Sequence, residues 1–160
     1  MVDYGNETNQ ILEEVKGLIF HKKKLTRWRK LLTPSVSEKV VINNLVSYIL
    51  FLKEELKDIP SHGVSLADSA EDKLMLSYFG QIFDAVIMEL YLPKELHAGD
   101  KYFMRHLISE NLPNLEEMKT DKMQELRMIF IKLFNKEHPV RINIYFLNSL
   151  GVVRRIQGLR

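Results

Sequence analysis

Cysteine is absent from this chain of 160 residues. Without thiols the chain has no disulfide framework, no iron–sulfur cluster, no cysteine zinc site and no thiol nucleophile. A domain of this length buries about two-thirds of the surface of its unfolded chain, so it needs no such cross-link to fold. The opening residues show neither a basic nor an apolar signal region, and together with the missing cysteines this leads us to expect a cytoplasmic protein.

Glycine and proline are scarce, with 7 and 5 residues, and they leave long uninterrupted segments between them. No apolar run approaches the roughly 18 residues that a membrane span requires, so we expect no membrane partner. Apolar residues instead recur with helical spacing in most of the segments. The sequence therefore predicts an all-α fold, an irregular bundle of about six to seven helices.

Local signals place the helices of the first half. Ile11, Leu18, Leu25 and Leu32 recur every seven residues and favour one long amphipathic helix or two in succession. Residues 35–38 read S-V-S-E, a capping box that opens a helix with a broad apolar face over residues 41–52. Another helix is expected to start after an N-cap at Ser69 and to end or kink at Pro93.

The second half is predicted to contain shorter helices. Residues 94–112 favour a less regular helix that is interrupted near residues 98–100, and residues 121–136 carry a narrow apolar stripe. Pro139 occupies a first helical position after His138, and Gly151 is expected to stop that helix. Residues 142–147 are rich in β-branched and aromatic side chains, which also allows a short strand there.

The clearest loop covers residues 59–68. We expect a single helical domain over residues 1–160. The alternative is a subdivision at this loop, with N-terminal helices in residues 1–58 and a second helical part in residues 69–160.

Motifs for nucleotide, zinc and ester chemistry are absent from the sequence. It has no glycine-rich phosphate loop, no H-E-x-x-H helix and no G-x-S-x-G nucleophile elbow, so we expect no cofactor and no catalytic site of these kinds. The tripeptides E-D-K at 71–73 and E-M-K at 117–119 resemble half of a metal-dependent nuclease site. This half-motif keeps open the alternative of a nuclease that uses Glu71 and Lys73.

Charge is unevenly distributed although the net charge is only +2. Residues 1–60 and 138–160 are basic, whereas residues 61–137 carry 13 acidic and 9 basic side chains. Cationic side chains neutralise phosphates and an indole can stack on a base, so the basic ends predict contacts with duplex DNA. The basic segment at residues 21–30 has two alternative interpretations. It could be a helix that lies on a membrane surface, or a helix whose charged face is in solvent and whose tryptophan packs in the core. The expected DNA-binding residues are Lys22, Lys23, Lys24, Arg27, Trp28, Arg29, Lys30, Arg154 and Arg155.

Two acidic residues, Asp84 and Glu89, lie in an otherwise apolar segment. A buried carboxylate is costly unless it is paired, so we expect a structural ion pair. Arg105, Arg127 and Arg141 are the candidate partners.

Two segments of the second half resemble the C-terminal region of type II restriction-modification enzymes that carry an adenine-specific DNA methylase domain. The first segment is YFGQIFDAVIMELYLPKEL at residues 78–96, and the second runs from E-H-P-V-R at 137–141 to V-V-R at 152–154. The resemblance extends over about residues 74–156. Gly80 and Met88 depart from the glutamate and tyrosine usual in that pattern, and the methylase loop N/D-P-P-Y/F is missing from the sequence.

The resemblance implies a non-catalytic helical portion of a restriction-modification system. Such a portion would bind duplex DNA or help to position it for the methylase or endonuclease portion of the same system. It would also place Arg141 against Asp84 or Glu89. Apart from this resemblance, the alternatives are a protein-interaction module, whose stripe around Met75 or Met123 docks a partner helix, and the nuclease described above.

Overall fold

The computed structural model describes residues 34–57 and 66–156, excepting the side chains of residues 66–70, 155 and 156. These ranges contain seven α-helices and two short 3-10 turns, with no β-strand among them, which confirms the predicted all-α bundle. The predicted heptad helix of residues 7–32 lies outside the described residues. The α-helices are α1 (Val36–Leu56), α2 (Leu66–Tyr91), α3 (Pro93–Ala98), α4 (Met104–Glu110), α5 (Lys122–Phe134), α6 (Pro139–Phe146) and α7 (Gly151–Ile156).

Helix α1 begins with the predicted capping box. The Ser35 hydroxyl accepts a hydrogen bond from the Glu38 amide at 3.2 Å, and the Ser35 amide donates to the Glu38 carboxylate at 2.9 Å. The exchange satisfies two backbone N–H groups that the first turn would leave unpaired. Farther along α1, the Asn44 amide donates to the Leu112 carbonyl and the Tyr48 hydroxyl donates to the Pro113 carbonyl. These bonds fix α1 against the loop after α4.

Helix α2 is the longest described helix and packs on α1 and α5. It begins at Leu66, three residues before the predicted N-cap Ser69, because Leu66 and Ala67 are good helix formers that extend the first turn. Its predicted apolar face is buried, and the opposite face with Gln81 is exposed. The Tyr78 hydroxyl donates to the Leu133 carbonyl at 2.7 Å and so connects α2 to the end of α5.

Proline sets the boundaries of the short helices. Helix α2 ends at Tyr91 and Pro93 is the first residue of α3, where its missing N–H costs nothing. The predicted interruption near residues 98–100 is confirmed, since α3 ends at Ala98 and α4 starts at Met104. Asp100 and Asn111 adopt left-handed backbone conformations in the connections on either side of α4.

Two local predictions for the C-terminal helices have different outcomes. Pro139 is the first residue of α6 and His138 its N-cap, as predicted. The prediction that Gly151 ends this helix is wrong, because α6 ends at Phe146, tightens into a 3-10 turn over Leu147–Ser149, and Gly151 starts α7. Residues 142–147 form helix and turn rather than the alternative strand, since the described residues offer no neighbouring strand to pair with.

One apolar cluster connects the described helices. It includes Leu45 of α1, Phe79 of α2, Leu107 of α4, Leu126 of α5 and Val140 of α6, all fully buried. Residues 36–56 thus share their core with residues 71–153, on both sides of the predicted loop. In these ranges no helix is both long enough and apolar enough to cross a membrane.

Candidate functional site

A groove lies between α2 and α6, with the end of α5 at its base. Its volume is about 490 Å³, which falls within the range of small-molecule and side-chain pockets. Apolar and polar side chains both line it. The lining residues are Tyr78, Gln81, Asp84, Ala85, Met88, Phe134, Arg141, Ile144, Tyr145, Leu147 and Asn148.

Both segments of the resemblance contribute to this groove. Helix α2 supplies the wall formed by residues 78–88, and the other wall belongs to residues 141–148 of α6 and the following 3-10 turn. Phe134, between the two segments in the chain, is the other lining residue in the described part of the molecule. Segments far apart in the sequence therefore form one concave surface, which makes the groove the candidate functional site.

Arg141 occupies a fixed position in the groove. Its Nη1 donates to the Phe134 carbonyl at 3.0 Å, and the guanidinium carbon lies 3.4 Å from the centre of the Phe134 ring. The Tyr78 ring is on another side, at 5.8 Å. A guanidinium has five N–H groups in a rigid plane, so one carbonyl leaves several of them available to a ligand.

Asp84 lines the same groove but forms no ion pair with Arg141. Within the described residues its carboxylate has no hydrogen bond or salt bridge. The side chain remains exposed, and partial desolvation raises the pKa of the Asp84 carboxyl above its usual value of 3.8. The expected pairing of Asp84 with Arg141 does not form, because Arg141 is held instead by the carbonyl and ring of Phe134.

Glu89 is buried as expected, but its partners differ from the expected arginine. Its Oε1 accepts from His97 Nε2 at 2.9 Å, and its Oε2 accepts from the backbone N–H groups of Phe103 and Met104 at 2.9 and 2.8 Å. The two amides are at the start of α4, where the first N–H groups have no partner within the helix. Glu89, which lies on α2, thus caps the start of α4 and is not a partner of Arg141.

The surroundings of Glu89 form a stacked column that sequence reasoning missed. The His97 ring stacks on the Tyr102 ring with a centroid distance of 4.2 Å, and the Arg105 guanidinium lies 3.7 Å from the Tyr102 centroid. Arg105 was one of the candidate partners for the buried acids, yet its contact is with the aromatic ring. No local sequence signal marks this column, because its members come from α3, α4 and the connection between them.

A second charged cluster connects α4, α5 and α6. Glu110 accepts from His138 Nε2 at 2.8 Å and forms a salt bridge with Lys132 at 2.6 Å. On the other side of the ring, His138 Nδ1 accepts from the Val140 amide and caps α6. Burial acts to raise the pKa of the Glu110 carboxyl, but the hydrogen bonds from Lys132 and His138 outweigh it and hold that pKa below its usual value of 4.5.

The predicted basic residues are only partly within the described ranges. Lys22, Lys23, Lys24, Arg27, Trp28, Arg29 and Lys30 lie outside the described residues. Arg154 is exposed on α7, and the side chain of Arg155 is outside the description. Of the nine predicted DNA-binding residues, Arg154 is therefore the one whose side chain belongs to the described part of the chain.

The residues of the half-motif for a nuclease lie on α2. Glu71 and Lys73 are exposed, whereas Asp72 between them is buried and accepts two hydrogen bonds from Arg127 at 2.9 Å. In the described portion of the chain, no group of three or more histidine or acidic side chains converges in a way that could hold a metal ion. Asp72 thus forms a structural salt bridge with Arg127. Arg127 was one of the candidates expected to pair with Asp84 or Glu89.

Comparisons of the chain with protein-family models, with curated proteins and with solved structures found no match.

Proposed function

We propose that this chain is a non-catalytic helical module of a restriction-modification system, which binds duplex DNA or helps to position it for an adenine-specific methylase or endonuclease. One observation carries the proposal: the two segments that resemble such enzymes, residues 78–96 and 137–154, supply opposite walls of one groove. A single surface formed by both segments suits a docking or positioning element. Methyl transfer itself is assigned to another portion, because the N/D-P-P-Y/F loop is missing from the sequence.

The phosphate contacts of this module are assigned to its basic segment at residues 22–30, with Arg154 and Arg155 as a second group. The described ranges carry 15 basic and 16 acidic side chains, so their overall charge gives no attraction to a polyanion. Residues 21–30 contain six lysines and arginines and the only tryptophan. Non-specific attraction to DNA grows with the number of phosphates that cations neutralise, which favours this segment.

Salt-dependent DNA binding tests the proposal. In fluorescence anisotropy with a labelled non-specific duplex, we expect binding at about 50 mM salt that weakens about a thousandfold by about 200 mM, the loss typical of six or more phosphate contacts. Changing the six basic residues of the segment to glutamate is expected to abolish binding. The substituted residues are Lys22, Lys23, Lys24, Arg27, Arg29 and Lys30.

The matched control changes six exposed lysines outside the basic segment to glutamate, so its net charge equals that of the basic-segment variant. The control residues are Lys39, Lys53, Lys73, Lys94, Lys119 and Lys136. This variant is expected to keep most of the binding, because phosphate contacts are local even though net charge steers association. Absence of binding by the natural chain at about 50 mM salt, or equal losses in both variants, would exclude the basic segment as the DNA site.

A protein-interaction module is the second candidate, and exposed apolar side chains favour it. Met75, one of the expected docking residues, is fully buried, and Met123 is half-buried against the core. The exposed apolar side chains of α5 are instead Met128 and Ile131, with 65% and 68% of their surfaces accessible. Co-elution with a methylase subunit that is lost in a Met128→Lys, Ile131→Lys variant would support this candidate, and unchanged elution would count against it.

A further inference from the structure

The groove between α2 and α6 combines an apolar floor with a polar rim. Ala85 and Met88 of one wall and Leu147 of the other belong to the buried apolar cluster, and together with Phe134 they form the apolar floor of the groove. Gln81 and Asn148 are exposed along its edges. A floor of this kind accepts one apolar side chain, while amides at the edge can bond the backbone on either side of it.

Arg141, the one cation among the described lining residues, is held ready for an anionic ligand. Arg141 is positioned by the Phe134 carbonyl and ring, and within the described residues its Nε and Nη2 groups have no acceptor. Holding the guanidinium in place before binding reduces the conformational entropy that binding would cost. Planar guanidinium groups bond carboxylates through two parallel N–H···O contacts.

Exposed rings extend the groove beyond its rim. Tyr145, which lines it, has 76% of its surface accessible, and Phe146 beside it packs edge-on against the Tyr145 ring. Ile142, one turn earlier on α6, is exposed as well. Aromatic residues and arginine are the side chains most enriched at protein interfaces, so this surface has the composition of a docking site for protein.

We propose that the groove binds a segment of a partner protein that inserts an apolar side chain between α2 and α6 and places an acidic residue against Arg141. This inference goes beyond the proposed function, and it stands or falls independently of DNA binding by residues 22–30. Asp84 on the facing wall is exposed and forms no salt bridge with Arg141 within the described residues, so it leaves the guanidinium open to a ligand carboxylate.

Charge favours a peptide over nucleic acid in this groove. A phosphate backbone presents a row of regularly spaced charges and is bound by several cations in line. Among the described residues, the groove is lined by one arginine and one acidic residue and by no lysine. A single carboxylate next to an apolar side chain matches one fixed guanidinium beside an apolar floor.

The experiment uses the full chain and NMR, with three probes added in turn. The first is a short synthetic peptide with a leucine between two glutamates, the second replaces both glutamates by lysine, and the third is a short DNA duplex. We expect the glutamate peptide alone to shift the Arg141 Nε–H and Tyr145 ring signals. No shift with the glutamate peptide at millimolar concentration, equal shifts with the lysine peptide, or shifts of the same signals by DNA would each overturn the proposal.

Variants separate binding from folding. Arg141→Gln is expected to lower the affinity for the glutamate peptide about tenfold or more, because a charge-assisted contact is lost. Tyr145→Ala, at a mostly exposed position that leaves the core intact, is expected to weaken it too. Arg105→Gln is the matched control, because Arg105 also lies against an aromatic ring, that of Tyr102, but is not among the groove residues. Unchanged affinity in both groove variants would overturn the proposal, and the thermal unfolding of each variant shows whether it is folded.

Discussion

At the scale of single residues, the buried carboxylate of Glu89 shows how one side chain can organise a helix junction. It lies on α2, yet its hydrogen bonds go to His97 of α3 and to two backbone amides at the start of α4. A buried charge is tolerated when several donors replace its lost water. Glu89 meets this condition, and three consecutive helices depend on it for their arrangement.

Replacing Glu89 by glutamine is expected to destabilise the fold by about 1–3 kcal/mol, because the amide has one acceptor oxygen where the carboxylate has two. One of the contacts to His97, Phe103 or Met104 would then face an N–H group. Urea denaturation measures the difference. The control is Glu95→Gln, at an exposed position of α3, and equal stabilities of the two variants would contradict the structural role.

Glu110 predicts a dependence of stability on pH. Its pKa is lower in the folded chain than its usual 4.5, so the folded state binds fewer protons than the unfolded state near that pH. The stability that Glu110 contributes is therefore complete above 4.5 and is lost as the pH falls through the folded pKa. Urea denaturation at neutral and acidic pH is expected to show a smaller acid loss in Glu110→Gln than in the natural chain.

His106 adds a second loss of stability in acid, but the natural chain and Glu110→Gln share this loss, so it cancels when the two are compared. Its burial, with the charges of Arg105 and His138, lowers its pKa below the usual 6.5. The unfolded state therefore takes up a proton first, and the loss of stability from His106 begins as the pH falls through 6.5. If Glu110→Gln and the natural chain lost equal stability between neutral pH and pH values below 4.5, the assigned role of Glu110 would be wrong.

At the scale of secondary-structure elements, caps and prolines determine where most of the described helices begin. The capping box at Ser35 and Glu38, and the prolines at positions 93 and 139, are local signals that act within one helical turn. They were predictable for this reason. Gly151 misled the prediction because glycine is compatible with a helix end and a helix start alike, and the 3-10 turn before it had already ended α6.

Gly80 offers a test of helix propensity within α2. It lies in the interior of the helix, and a Cβ atom built there would have no other atom within 4 Å. Gly80→Ala is therefore expected to stabilise the chain by about 0.5–1 kcal/mol, since alanine restricts the unfolded backbone and adds no clash. Thermal unfolding followed by circular dichroism measures the change. A destabilised variant would indicate that the site is more crowded than the structure shows.

At the scale of the whole molecule, the apolar cluster determines how many units unfold. Helix α1 packs on α2 and its residue Leu45 belongs to the same cluster as residues of α2 to α6. Elements that share one core unfold together, because removing any of them exposes the others. The described helices on both sides of the predicted loop are therefore expected to melt in one transition.

Leu45→Ala tests this cooperativity. The leucine is fully buried, so its truncation is expected to cost about 2–5 kcal/mol. Far-UV circular dichroism reports the helices, and the near-UV signal reports packed rings such as Tyr78 against Phe134. Both probes are expected to shift by the same amount. Separate transitions would show that α1 melts as its own unit, which corresponds to the alternative subdivision into residues 1–58 and 69–160.

The groove could be predicted from the sequence only in part. The sequence singled out residues 78–96 and 137–154, which contribute lining residues to the groove, but it gave no indication that they face each other across one surface. Acidic residues in an apolar segment indicated Asp84 and Glu89 as special, and the expectation of an arginine partner for them came from charge alone. In the structure, Glu89 accepts hydrogen bonds from His97 and two backbone amides, and Arg141 contacts the carbonyl and ring of Phe134.

The sequence by itself determined the all-α class, most helix boundaries and the buried faces, because periodicity, capping residues and prolines act over neighbouring turns of one segment. Only the tertiary structure decided which helices face one another, and with them the partners of Glu89, Asp72 and Arg141. The separation in the chain is 7 residues between Arg141 and Phe134, 14 between Glu89 and Phe103, and 55 between Asp72 and Arg127. Such pairs depend on how apolar faces of several helices pack into one core, and no local pattern encodes that packing.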